Sequence, residues 1–179
     1  MRYTDLIGRA KELEIASALT RNGIYTYHPL VDTGFDLVAS NRAATIFIPI
    51  QVKYREKDPA LNLLRKDLDR YQAPNTILAF LIGSRETLMS WYIPFSEWHS
   101  RAVDKNRSDD KIYVRIGENR EWLSQFEGDA GIQKTFAALL MMPNPSLKRS
   151  ANGRPPGPVW RYAVHFRQPG PGVLPSSPA

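Results

Sequence analysis

Four residues in the first third of the sequence have the types needed to hydrolyse a phosphodiester: Glu12, Asp36, Gln51 and Lys53. Carboxylate and amide oxygens bind hard cations such as Mg²⁺, which keep several water ligands. A bound cation polarises the scissile phosphate and lowers the pKa of a water, and a lysine orients that water or stabilises charge in the transition state. We therefore predict that Asp36, Gln51 and Glu12 bind Mg²⁺ or Mn²⁺ and that Lys53 completes the catalytic set.

Glu12 lies in a segment with helical periodicity, Thr4–Asn22, which Gly23 is placed to end. At about 100° per residue, Glu12 shares a face with Ile15 and Leu19, and we expect this face to pack on a sheet. A carboxylate on a packing face is costly unless it is paired, protonated or bound to a cation. The structural alternative to a metal ligand is an ion pair with Arg9.

The other three polar residues interrupt two apolar strands. Asp36 lies in Phe35–Ser40, and Gln51 and Lys53 lie in Thr45–Tyr54. Residues two apart share one face of a strand, so the amide and the amine project together.

The pairing of these two strands decides whether the residues converge. A hairpin turn over Asn41–Ala44 places Asp36 opposite Pro49, on the same face as the amide and the amine. We predict that the helix carrying Glu12 covers this face.

The rest of the chain predicts a mixed α/β (α+β) fold with a central mixed β-sheet flanked by helices. The predicted strands are Ile24–Tyr27, Thr76–Ile82, Leu88–Ile93 and Lys111–Ile116, and the predicted helices are Asp58–Gln72, Glu97–Val103, Glu121–Phe126 and Ile132–Met141. Pro74 is placed to stop the helix Asp58–Gln72.

Basic residues near the predicted site are candidates for contacts with a DNA backbone. Lys66 and Arg70 are spaced i, i+4 on the predicted helix Asp58–Gln72, and Arg55 follows the second strand. Ion pairs with the neighbouring aspartates on a solvated helix face are the structural alternative for the first two.

The charge and the proline content divide the chain at residue 143. Five of the 24 basic residues lie in 143–179, which has no acidic residue, so the first 142 residues carry 19 basic side chains against all 18 acidic ones. Nine of the 14 prolines also fall in 143–179. We predict an endonuclease-like domain over 1–142 and a disordered Pro/Gly-rich tail over 143–179, with a nucleic-acid-binding arm as the alternative for the tail.

The composition excludes several classes of protein. With no cysteine, the chain has no disulfide, zinc–thiolate site or cysteine nucleophile. Its apolar runs are far shorter than the roughly 20 residues that span a bilayer, and no apolar leader segment is present. We therefore expect a cytoplasmic protein with no membrane partner.

The segments that hold the four polar residues resemble the PD-(D/E)XK nuclease superfamily. The likeness rests on Gly8-x-x-x-Glu12, Gly34-Phe35-Asp36-Leu37-Val38 and Ile50-Gln51-Val52-Lys53, and it is closest to the small bacterial and homing-endonuclease-like branch whose final motif is QxK. The resemblance implies a restriction-endonuclease-like fold and a Mg²⁺-dependent DNA endonuclease. It places the family's helix glutamate at Glu12, its metal aspartate at Asp36 and its final pair at Gln51 and Lys53.

The sequence departs from this pattern at two positions. Phe35 stands where the superfamily has a proline, and Gln51 replaces an acid, which removes a negative charge from the metal site. The main interpretation is a metal-dependent endonuclease that acts on DNA. The alternatives are a catalytically decayed nuclease-fold module that binds DNA or supports assembly, and a Holliday junction resolvase-like enzyme that acts as a homodimer.

Overall fold

The computed structural model describes residues 3–30, 34–73, 75–84, 86–103 and 110–140. The predicted tail, 143–179, lies outside the described residues. Within the described part of the chain, no helix is long and apolar enough to cross a membrane.

Seven strands are present in the described residues. They are β1 Tyr25–Tyr27, β2 Leu37–Ser40, β3 Phe47–Arg55, β4 Ala60–Leu64, β5 Ile77–Ile82, β6 Met89–Pro94 and β7 Lys111–Arg115. Five of them form a sheet in the order β1-β2-β3-β5-β6, in which only β3 and β5 are parallel neighbours, and β4 and β7 form a second, two-stranded sheet. The predicted mixed fold with a central mixed sheet is confirmed.

The helices are α1 Tyr3–Arg21, α2 Phe95–Arg101, α3 Arg120–Ser124, α4 Gly128–Thr135 and α5 Ala137–Leu140, with 3₁₀ helices at Arg65–Gln72 and Gly117–Asn119. The first helix ends as predicted, because Gly23 adopts a φ of 81°. The Gly23 N–H donates to Thr20 O at 3.0 Å, and the Ile24 N–H donates to Leu19 O at 3.0 Å. These are the two hydrogen bonds of a Schellman motif. The predicted helix Ile132–Met141 is instead divided between α4 and α5.

The central sheet separates two apolar cores. The first core contains the buried face of α1, residues of α4, and the side chains of β3 that alternate with Gln51 and Lys53, such as Ile50 and Val52. The second core lies on the other face, where the β4–β7 sheet, the 3₁₀ helix 65–72 and α2 cover β5 and β6. Trp98 is fully buried in the second core.

The predicted helix Asp58–Gln72 is wrong in its first half. Ala60–Leu64 is strand β4, in which Leu61 and Leu63 are buried and pair with Val114 and Ile112. The leucines of this segment favour a helix, but pairing with β7 buries both of them on one face, and helix propensity is a weak preference that such contacts override.

The hairpin of β2 and β3 forms in a register two residues away from the predicted one. Ser40 pairs with Phe47 and Leu37 with Ile50, so the connection spans residues 41–46. The side-chain oxygen of Asn41 accepts hydrogen bonds from the N–H groups of Thr45 at 2.9 Å and Ile46 at 3.2 Å, which keeps both out of the strand ladder. Because a shift of two residues preserves the face of every side chain, Asp36 still lies on the same face as Gln51.

Candidate functional site

A cleft of about 460 Å³ lies at the edge of the central sheet, and all four predicted catalytic residues line it: Glu12, Asp36, Gln51 and Lys53. Arg55, the next residue on that side of β3, lines it as well. Residues that are far apart in the sequence thus meet at one opening.

The cleft forms where β3 extends beyond its neighbour. Strand β2 begins at Leu37, and no described strand pairs with the same edge of β3 after Ile50. The side chain of Asp36 takes the place of a partner strand, because its Oδ2 accepts the Val52 N–H at 2.7 Å. The Gln51 amide donates to the same carboxylate oxygen and, at 3.3 Å, to Val52 O. Asp36 and Gln51 therefore satisfy backbone groups of the sheet edge as well as facing the cleft.

Glu12 reaches the cleft from the opposite face of the sheet, and the prediction that its helix covers the face of Asp36, Gln51 and Lys53 is wrong. Ile15 and Leu19 of α1 pack in the first core, against the other side of β3. The Glu12 side chain is 18% exposed, and its carboxylate accepts a hydrogen bond from Arg9 Nη1 at 2.5 Å. The ion pair that was the structural alternative is thus present, and the carboxylate also lines the cleft.

Lys53 occupies a partly buried position between carboxylates and an aromatic ring. Desolvation by burial lowers the pKa of Lys53 below its usual 10.5, and the nearby Asp36 and Asp67 carboxylates oppose this by raising it. The Lys53 Nζ lies 5.8 Å from the centre of the Tyr71 ring. The ammonium is therefore held by a cation–π contact as well as by charge.

The 3₁₀ helix 65–72 brings Asp67 to the site, where sequence reasoning did not place it, together with Tyr71, which was expected near the site, and Arg70, which was predicted as a DNA contact. Asp67 and Arg70 act on the pKa of Lys53, and burial raises the pKa of Tyr71 to about 12, with further contributions from Asp67 and Asp36. In a helix of three residues per turn, Asp67 and Arg70 share one side. The sequence carried a signal for this, since Asp67, Arg70 and Tyr71 have the i, i+3, i+4 spacing of residues that share one face of the predicted helix.

The predicted DNA-contacting residues are distributed differently from the expectation. Lys66 and Arg70 do not share a side, because at about 120° per residue positions i and i+4 diverge. Arg70 lies next to Gly34, whose φ is 84°, and a Cβ there would lie 3.7 Å from Arg70 Cδ. Arg55 donates to Tyr54 O at 2.8 Å and is exposed at the cleft.

The donor set of the cleft fits a cation that keeps most of its water ligands. Glu12 and Asp36 offer two carboxylates, and Gln51 can present its amide oxygen by rotation about its Cγ–Cδ bond. Mg²⁺ is usually bound by one or two carboxylates with several waters. No group of three or more His, Cys, Asp or Glu side chains converges anywhere in the described ranges.

Comparison with known proteins yields structural resemblances but no sequence relative. No protein-family model and no curated protein matches the sequence. Among solved structures, the chain resembles Hjc, a Holliday junction resolvase from the archaeal hyperthermophile Archaeoglobus fulgidus, with 14% identity and a TM-score of 0.44 over 62% of this chain and 84% of the other.

Proposed function

We propose that the protein is a metal-dependent endonuclease that hydrolyses phosphodiester bonds of DNA at the cleft lined by Glu12, Asp36, Gln51 and Lys53. One observation carries the proposal: two carboxylates, an amide and a partly buried lysine, from three separate segments of the chain, open onto the same cleft. A structural role for each residue alone does not require this convergence.

Each residue of the cleft has a distinct part in the proposed reaction. Asp36, Glu12 and the Gln51 oxygen would hold Mg²⁺ or Mn²⁺, which when bound polarises the phosphate and acidifies a water. Lys53 orients the attacking water or stabilises the charge that develops on the phosphate oxygens. Tyr71 and Asp67 hold the Lys53 amine in position, and Arg55 is exposed to contact the phosphate backbone.

The test is cleavage of supercoiled plasmid, single-stranded and branched DNA with Mg²⁺, with Mn²⁺ and with a chelator. We expect cleavage only with metal, and we expect Asp36→Asn and Lys53→Met each to slow it by about 10²–10³-fold, the usual loss for a group that stabilises transition-state charge. Asp36→Asn keeps an oxygen that can accept the Val52 N–H, so the sheet edge is preserved. Cleavage that is unchanged in Asp36→Asn would refute the proposal.

Helix α1 offers a matched pair of controls. Glu12→Gln removes the charge that faces the cleft, whereas Glu14→Gln removes a charge that pairs with Lys11 on the outer side of the same helix. We expect the first variant to raise the Mg²⁺ concentration needed for cleavage and the second to leave it unchanged. Equal effects of the two would mean that Glu12 is not a metal ligand.

A second candidate, a decayed nuclease fold that binds DNA without cutting it, is favoured by the Gln51 amide. The amide N–H of Gln51 donates to Asp36, where an acid would instead add a third negative charge. Isothermal titration with Mn²⁺ distinguishes the two functions. Binding that is lost in Asp36→Asn supports the endonuclease, and no binding at millimolar metal supports the decayed module.

A further inference from the structure

Three aromatic side chains are exposed on the same face of the central sheet as Asp36 and Gln51. Tyr25 and Tyr27 of β1 are each 47% exposed, and Phe47 of β3 is 55% exposed. We call these three residues the aromatic face. Strand register places them together, since Tyr25 pairs with Ser40 and Ser40 pairs with Phe47. The Tyr27 and Phe47 rings are 6.5 Å apart.

The aromatic face continues directly into the candidate site. Alternate residues of β3 share one face, so Phe47 and Pro49 are followed on that face by Gln51 and Lys53. Tyr27 and Val38 lie in the row of Pro49, and this row is about 7 Å from the row of Gln51, given two residues at the rise of a strand. The rings therefore lie within reach of a nucleic-acid strand that has a phosphate at the cleft.

The neighbouring half of the same sheet face is covered by other elements, whereas the aromatic face is exposed. Over β5 and β6, the residues on this side, such as Leu78 and Phe80, are buried beneath the β4–β7 sheet. Over β1 and the first half of β3, in contrast, the aromatic side chains on this side of the sheet remain about half exposed. Exposed aromatic rings on a sheet are a surface on which unpaired bases stack, because every base has a π face.

The charges next to the aromatic face agree with a nucleic-acid strand. Arg42 is exposed in the β2–β3 connection at one end of it, and Arg55 is exposed beyond the cleft at the other. We propose that Tyr25, Tyr27 and Phe47 stack unpaired bases of the strand whose phosphodiester enters the cleft. The substrate then contains a single-stranded segment, such as a flap, a gap or a free single strand. The identity of the ligand as DNA rests on the proposed function.

The test measures binding without metal, so that it is independent of cleavage. The full chain is titrated, with a chelator present, against fluorescent oligothymidylate, an abasic strand with the same number of phosphates, and a duplex of equal length. We expect oligothymidylate to bind at least about tenfold more tightly than the abasic strand, since one stacked base contributes about that factor. Equal affinity for the strands with and without bases would overturn the proposal.

Variants assign the effect to the aromatic face. Tyr27→Leu and Phe47→Leu keep apolar side chains, so they preserve the packing while they remove the π surface. We expect each to lose about tenfold in affinity for oligothymidylate and nothing for the abasic strand. Tyr3→Leu is the matched control, because Tyr3 is an exposed aromatic residue of α1, outside the aromatic face. Equal losses in Tyr3→Leu and Phe47→Leu would contradict the proposal.

Two further outcomes separate this inference from its rivals and from the proposed function. If sedimentation shows a dimer that Phe47→Leu converts to a monomer, the face is a subunit contact and the proposal is overturned. Base-dependent binding without metal-dependent cleavage would support the aromatic face and refute the endonuclease. Metal-dependent cleavage without base-dependent binding would support the endonuclease and refute the role of the aromatic face.

Discussion

At the scale of single residues, Lys53 has the most informative environment. It is partly buried, and desolvation lowers the pKa of its ammonium below the usual 10.5. The folded protein therefore binds this proton less tightly than the unfolded chain does. A buried charge of this kind reduces the stability of the fold, which indicates that Lys53 is present for a reason other than packing.

We expect Lys53→Met to unfold at a higher temperature than the wild type at neutral pH, because the variant buries no ammonium. The sign of the pH dependence follows from the lowered pKa. Between the folded-state pKa and 10.5 the unfolded chain binds more protons, so wild-type stability rises with pH over this window. The difference in melting temperature between the wild type and Lys53→Met should narrow as the pH approaches 10.5. Thermal unfolding over a pH series measures it, and a gap that widens with pH would contradict the assignment.

Tyr71 should show the opposite pH dependence. Burial raises its pKa from 10.0 to about 12 in the folded protein, so above pH 10 the unfolded chain loses a proton that the folded chain keeps. Tyr71 should lower wild-type stability by up to about 2 kcal/mol as the pH rises toward 12, and Tyr71→Phe should lack this contribution. A smaller fall should remain in both proteins, because burial also raises the pKa of Tyr92. Urea unfolding of both proteins at about pH 9 and about pH 11 provides the measurement. Parallel losses in the two proteins would show that Tyr71 keeps its ordinary pKa.

At the scale of elements, the connection between β2 and β3 fixes the register that brings Asp36 to Gln51. Asn41 accepts two backbone N–H groups and donates to Thr45 Oγ1 at 2.8 Å. Asn41→Ala should lower the free energy of unfolding by about 1–3 kcal/mol, since it leaves partly buried groups without partners. Denaturant titration measures the change, and an effect below about 0.5 kcal/mol would indicate that the register is set elsewhere.

A second variant in the same connection should act in the opposite direction. Ala44 has a φ of 51°, in the left-handed region that disfavours residues with a Cβ. Ala44→Gly should therefore stabilise the protein by up to about 1 kcal/mol, as measured by the same titration. A loss of stability in Ala44→Gly would mean that chain entropy outweighs the strain.

The sequence was sufficient to predict that β2 and β3 form a hairpin, but not its register; it also predicted the shared face of Asp36, Gln51 and Lys53 and the end of α1 at Gly23. These depend on local periodicity and on backbone preferences of single residues. It was not sufficient to predict β4, whose leucines favour a helix until β7, about 50 residues later, pairs with them. Nor did the sequence show which face of the sheet α1 covers. The amphipathic pattern of a helix indicates that the helix packs on a sheet, but it does not indicate on which face.

At the scale of the whole molecule, the Pro/Gly-rich composition of 143–179 predicts a tail that adds few contacts to a folded core. Every residue of the two apolar cores lies between Ile15 and Leu140. Removing 143–179 should change the melting temperature by less than about 2 °C, which corresponds to under about 1 kcal/mol for a chain of this length. Calorimetry on the truncated and full chains measures this, and a larger fall would show that the tail contributes to the core.

The same truncation tests whether the tail acts as a nucleic-acid-binding arm. With five basic residues and no acidic one, such an arm would make binding more dependent on salt. We expect the slope of log affinity against log salt to be the same in both proteins. A shallower slope after truncation would assign phosphate contacts to the tail.

The contact of Asp36 with the open edge of β3 has a consequence for how such sites evolve. Because this carboxylate accepts a backbone N–H that no described strand pairs with, selection for folding alone would retain it after catalysis had been lost. An aspartate at this position in a related sequence is therefore poor evidence of an active enzyme. A lysine at the position of Lys53 is better evidence of an active enzyme. A related protein that did not need this lysine for catalysis would become more stable if an apolar side chain replaced the partly buried ammonium.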